Sequence, residues 1–156
     1  MATISDVLKR LRERSNDLWR EWDHFAYSNK TILAVSANSS FQMSLRVLSL
    51  EQGWRILFAN CLEDGLRLHR LNRVGILVYD RDLPGVEWRG GLRTLLRSNS
   101  RSFPIVVSDV PSVRLRSEVL RCGGYDVAQN PLQPKCFAAL ANGAFALARS
   151  IDSGTF

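Results

Sequence analysis

The strongest constraint in this sequence is an alternation. Five short, almost wholly apolar runs are separated by longer stretches whose apolar residues recur every three or four positions. The runs are Ile32-Leu33-Ala34-Val35, Arg55-Ile56-Leu57-Phe58-Ala59, the stretch from Val74 to Tyr79, Pro104-Ile105-Val106-Val107 and Asp126-Val127-Ala128. Between and after them, helices are predicted over Phe41 to Leu50, Leu62 to Leu71, Trp88 to Ser98, Val113 to Cys122 and Gln133 to Ile151. Short continuous apolar runs are strands buried on both faces, and both faces are covered only in a parallel sheet whose crossovers are helices. The expectation is an α/β fold: a (βα)5, doubly wound, five-stranded parallel sheet over residues 31–151, with a tail at 152–156.

Ahead of that unit, residues 1–30 predict one extra α-helix. No Gly or Pro interrupts residues 3–28, Ser5 is placed to cap the helix, and Ile4, Leu8, Leu11, Leu18, Trp22 and Phe25 follow a 4-3 rhythm with Ser15 in the remaining seam position. A helix of ~26 residues is ~39 Å long, which outruns the ~13 Å radius of gyration of a domain of about 100 residues. The seam therefore predicts pairing with another copy as a homodimer or docking on a partner helix; folding back on its own domain is the alternative. Five acidic groups against six basic ones in residues 1–30 argue against a membrane surface. No apolar run reaches ~18 residues and no secretory signal is visible, so a cytoplasmic protein is expected.

In an open parallel sheet, functional groups lie beyond the carboxyl ends of the strands. Those positions hold Ser36-Ala37-Asn38, Asn60, Asp80-Arg81-Asp82, Ser108-Asp109 and Gln129-Asn130-Pro131. Three of these loops together resemble the receiver domain of bacterial two-component response regulators. Asp80-Arg81-Asp82-Leu83-Pro84 is similar to the third-strand motif, Pro104 to Ser108 to the fourth strand ending in Thr or Ser, and Asn130-Pro131 to the Lys-Pro pair, preceded by Gly123-Gly124.

The resemblance implies a flavodoxin-like fold, a phosphoacceptor position at Asp80, a phosphate-binding hydroxyl at Ser108, and Mg²⁺ held by an acidic pair after the first strand. It implies a histidine kinase or another regulator as partner. It also exposes departures. Ser36 and Ala37 occupy the acidic-pair positions, Asn130 the lysine position and Val127 the aromatic switch position, with Tyr125 two residues away. Asp82 could add a carboxylate, but its family position contributes a backbone carbonyl. Mg²⁺ asks for hard oxygen ligands, usually including carboxylates, and phosphoryl transfer rests on positioning and charge neutralisation. The expectation is a stand-alone, degenerate receiver that acts through protein–protein contact, with phosphorylation lost or inefficient, no cofactor and poor Mg²⁺ binding. A phosphoaccepting receiver using Asp80 is the first alternative.

Charge supplies the second. The net charge is +6, and residues 89–121 hold Arg89, Arg93, Arg97, Arg101, Arg114, Arg116 and Arg121 against Asp109 and Glu118. This face could bind nucleic-acid phosphates, yet no DNA- or RNA-reading motif accompanies it, and a solvated helix face is the plainer reading. No catalytic motif is visible. The three widely spaced cysteines and two histidines form neither a zinc site nor a disulfide frame.

Overall fold

The computed structural model describes residues 3–6, 30–99 and 101–152. Ten elements alternate: β1 (Thr31–Val35), α1 (Ser39–Gln52), β2 (Arg55–Ala59), α2 (Leu62–Leu71), β3 (Ile76–Asp80), α3 (Trp88–Ser98), β4 (Phe103–Ser108), α4 (Val113–Arg121), β5 (Asp126–Gln129) and α5 (Pro134–Asp152). The strands form one parallel sheet in the order β2-β1-β3-β4-β5. The expected (βα)5 architecture is the one observed.

Strand alternation divides the core. Ile32 and Ala34 of β1, Ile76 and Val78 of β3, and Ile105 and Val107 of β4 face α1 and α5, where Trp54 packs edge-on against Phe137 at 6.1 Å between ring centroids. Leu33, Val35, Leu77, Tyr79 and Val106 face α2, α3 and α4. All five residues of β1 are buried, as are four of the five in β3. Their apolar character is what two covered faces require.

Several boundaries differ from the sequence expectation, each for a local reason. Asn38 accepts the Phe41 N–H at 3.0 Å, so α1 starts at Ser39, ahead of the first large apolar residue. Strand β3 begins at Ile76 and extends to Asp80, which pairs with Val107. Pro104 lies inside β4 at little cost, because its carbonyl accepts from Tyr125 just before β5 begins and the missing N–H has no strand partner there. At the chain's start, residues 4–6 are helical, and the cap is Thr3 in place of Ser5: Thr3 Oγ1 accepts the Asp6 N–H and Asp6 Oδ2 accepts the Thr3 N–H. Leu8, Leu11, Leu18, Trp22 and Phe25 lie outside the described residues, while Ile4 is 81% exposed.

One buried polar cluster ties α2 to α3 and to Ser102, just ahead of β4. His69 is fully enclosed; its Nδ1 lies 3.0 Å from both the Leu95 carbonyl and Ser98 Oγ, and its Nε2 lies 2.6 Å from Ser102 Oγ. Ser102 in turn donates to the Val74 carbonyl at 3.0 Å. Burial holds the imidazole below the usual histidine value, with the Leu95 carbonyl opposing that shift. The unfolded chain therefore binds more protons than the folded domain between ~6.5 and the lowered folded value. His69 contributes stability that is present above this window and lost as pH falls through it. Urea midpoints measured at descending pH should fall through the window in the parent chain, and His69→Asn should flatten that part of the profile.

Gly91 serves packing of another kind. A Cβ there would overlap the Tyr79 hydroxyl and stand 2.8 Å from Val86 Cγ1. Gly91→Ala is expected to destabilise the domain by about 1–3 kcal/mol, read as a lower urea midpoint with unchanged slope.

Candidate site at the carboxyl edge of the sheet

The crossover from β1 to α1 and that from β3 to α3 leave the sheet on opposite faces. Between them lies the crevice where open α/β sheets place their ligand-handling groups. The register Val35↔Tyr79 brings the next residues of both strands, Ser36 and Asp80, side by side.

Ser36 is fully buried, and its hydroxyl donates to Asp80 Oδ2 at 2.8 Å. It also accepts the Asn38 N–H at 3.1 Å. The other carboxylate oxygen, Asp80 Oδ1, accepts the Asp82 N–H at 2.9 Å. Asp80 is half-buried, so its charge is held by two protein donors and by whatever water reaches it. Burial first, then the charges of Glu87 and Asp80, push the neighbouring Tyr79 phenol up to about 12. Tyr79 Oη is enclosed without a hydrogen-bond partner among the described residues.

The surrounding positions are amides and hydroxyls. Ala37 is exposed and offers no ligand. Gln42, on the first turn of α1, donates through Nε2 to the Ser36 carbonyl and to Asn60 Oδ1. On the far side, buried Ser108 accepts the Val110 N–H at 3.2 Å, and Asn130 donates to Asp109 Oδ1 at 2.9 Å. Asp82 is exposed in the turn after β3. Val127 is half-buried beside Val106 on the α2–α4 face. Tyr125 packs against Phe103 at 5.5 Å on the α1–α5 side, so its ring does not take Val127's place.

This donor set does not suit Mg²⁺. Asp80 is the one half-buried carboxylate in the crevice, Asp82 and Asp109 are exposed, and among the described residues no group of three or more His, Cys, Asp or Glu could hold a metal ion. Asn130 brings hydrogen-bond donors but no positive charge, and its Nδ2 donates to Asp109.

The arginine face divides in two. Arg89 pairs with Glu87 at 3.1 Å and with Glu118; Arg114 reaches Glu118 at 3.6 Å and Arg116 reaches Asp126 at 3.2 Å. Arg93, Arg97, Arg101 and Arg121 are exposed and make no ion pair among the described residues. The face available to phosphates is therefore smaller than the sequence count suggests. Among the described residues, no helix is long and apolar enough to cross a membrane.

No protein-family model matches the sequence, and no curated protein matches it. Solved structures do. The beryllofluoride-activated NtrC4 receiver domain dimer is 20% identical, with a TM-score of 0.70 over 76% of this chain and 98% of that one. A CheY-like response regulator receiver domain protein from Methanospirillum hungatei is 17% identical, with a TM-score of 0.70 over 77% of this chain and 96% of that one. The receiver domain of a sensor histidine kinase from Pseudomonas aeruginosa, solved with a magnesium ion coordinated in its active-site cleft, is 17% identical, with a TM-score of 0.66 over 74% of this chain and 97% of that one. The likeness is one of fold: the chain has the flavodoxin-like fold of response regulator receiver domains.

Ser36 anchors the crevice locally. Ser36→Ala would leave Asp80 Oδ2 and the Asn38 N–H without their partner, and should cost about 1–3 kcal/mol in urea unfolding.

Proposed function

We propose that this domain is an atypical receiver that acts in signal transduction through contact with a protein partner, a histidine kinase or another regulator, and does not depend on phosphoryl transfer at Asp80. One observation carries the reading: the two protein donors to the Asp80 carboxylate, the Ser36 hydroxyl and the Asp82 N–H, are both uncharged. Each oxygen keeps a lone pair for attack, but transfer also needs a cation to offset the charge that builds on the transferring group. Here the nearest replacements for the family's charged groups are Ser36, Ala37 and Asn130, all uncharged. Each absent charge-assisted hydrogen bond forfeits ~1.5–3 kcal/mol, so two or more missing together slow transfer by orders of magnitude.

Without a phosphoryl group to recruit Ser108, and with valine at 127 in place of a ring, the segment from Ser108 to Val127 has no charge event to report. The domain then presents one conformation of its surface, and its partner reads that surface directly. The fold of NtrC4 and of other response regulator receivers supports the signalling role.

The experiment is incubation of the full chain with a small-molecule phosphodonor and Mg²⁺, followed by intact-mass analysis. The expected result is no phosphorylated species, and no saturable Mg²⁺ site in a tryptophan fluorescence titration. A phosphorylated species that disappears in Asp80→Asn would overturn this reading and establish Asp80 as a working phosphoacceptor.

A further inference from the structure

We infer that the amino-terminal edge of the sheet, where α2, α3 and α4 end, binds the phosphate backbone of a nucleic-acid duplex without reading its sequence. Each crossover helix runs back against its strands, so the carboxyl ends of α2, α3 and α4 gather at the edge opposite the Asp80 crevice. Contacts tie the three ends together. His69 in the last turn of α2 meets Leu95 and Ser98 in the last turn of α3, and a Cβ on Gly123, just past α4, would stand 3.4 Å from Leu96 Cδ1. The residues beside these contacts are arginines. Arg70 stands in the last turn of α2, Arg97 in that of α3 and Arg121 in that of α4, with Arg101 ahead of β4 and Arg93 one turn back from Arg97. All five are exposed, and none makes an ion pair among the described residues. Arg70 lies outside the stretch whose charge stands out in the sequence; only the fold brings it to the others.

The carboxylates of the same layer do not answer this charge. Glu63 and Asp64 stand in the first turn of α2 and Glu87 caps α3, all toward the crevice edge, while Glu118 and Asp126 are paired with Arg89, Arg114 and Arg116. Helix dipoles favour basic side chains in last turns, yet three helix ends supply only about −1.5 charges, against the four arginines at positions 70, 97, 101 and 121. A positive field remains at this edge, on a chain whose net charge is +6. Neighbouring helix axes lie ~8–10 Å apart, so Arg70, Arg97 and Arg121 form a row ~16–20 Å long. A duplex carries one negative charge per ~1.7 Å of its axis and meets guanidinium groups wherever they fall. An acidic protein has to place carboxylates at these particular spacings. The planar fork of arginine suits two phosphate oxygens at once. Among the described residues no large exposed apolar side chain is aromatic, so the contact is with the backbone and not with stacked bases.

This inference is independent of the reading of Asp80, which lies at the opposite edge. Its test is fluorescence anisotropy of a labelled short DNA duplex of mixed sequence, titrated with the full chain at several salt concentrations. Saturable binding is expected, with log K falling against log salt at a slope of about −3 to −4 for four phosphate contacts. Arg97→Gln combined with Arg121→Gln should weaken binding by about tenfold or more and reduce the slope by about 2, with circular dichroism as in the parent. Arg46→Gln combined with Arg149→Gln removes the same charge from exposed positions on α1 and α5, and should leave the slope unchanged. No saturable binding, an equal loss in both double variants, or displacement of the duplex by polyglutamate or by phosphatidylserine vesicles at equal charge would each overturn the inference. The second outcome would show that net charge alone is at work, and the last would point to an acidic protein or a membrane surface.

Discussion

The β1–β3 ladder is the constraint on which the rest of this molecule depends. Both strands are buried on both faces, and their register runs from Ile32↔Ile76 to Val35↔Tyr79. A shift by one residue would turn every side chain of β1 to the opposite face. It would also separate Ser36 from Asp80, because their hydrogen bond exists only where the two strands end level. The crevice is thus a product of the core: its position follows from strand order, and its chemistry from whichever residues stand one step past the ladder.

Those residues give this crevice the character of a closed hydrogen-bond circuit. A carboxylate among metal and lysine charges is held in tension, with its neighbours repelling or attracting it strongly enough to respond when the charge changes. Here the Asp80 charge rests on a hydroxyl and a backbone N–H, and the adjacent side chains Gln42, Asn60, Ser108 and Asn130 are neutral. Asn130 and Asp109 satisfy each other in the same manner. On the reading proposed above, local hydrogen bonds of this kind favour a single arrangement of the loops. A receiver that switches needs two arrangements of similar free energy, each favoured by a different charge state.

The layout was readable from residue order because buried parallel strands admit almost no polarity. Ile32 to Val35 and Ile105 to Val107 leave no other placement. Boundaries were less legible, since they depend on single side chains whose alternatives look alike in sequence: Asn38 rather than a later residue caps α1, and Thr3 rather than Ser5 starts the first turn. At the crevice, Asp80, Ser108 and Asn130 could be picked out by their position after strands. Their partners could not. Ser36 and Asp80 are 44 residues apart, and Gln42 enters the site from a helix where its spacing gives no signal. The same holds for His69, whose partners Leu95 and Ser102 lie 26 and 33 residues on. The arginine count misled for the opposite reason: Glu87, Glu118 and Asp126 are few, but the fold sets them against Arg89, Arg114 and Arg116.

The attachment of the N-terminal segment to β1 has a mechanical consequence. That segment enters the sheet through Lys30 directly into a strand bonded along its length to β2 on one side and β3 on the other. A pull on it runs parallel to both ladders, so the bonds on either side bear the load together in shear and must break nearly at once. At the other end of the chain, a pull meets α5, which is held by side-chain packing, and behind it β5, a four-residue strand at the sheet's edge with a single ladder. Those contacts can be peeled away in sequence. A load applied between the two ends of the domain would therefore meet its stiffest part at Lys30, and the domain would give way first at β5 and α5.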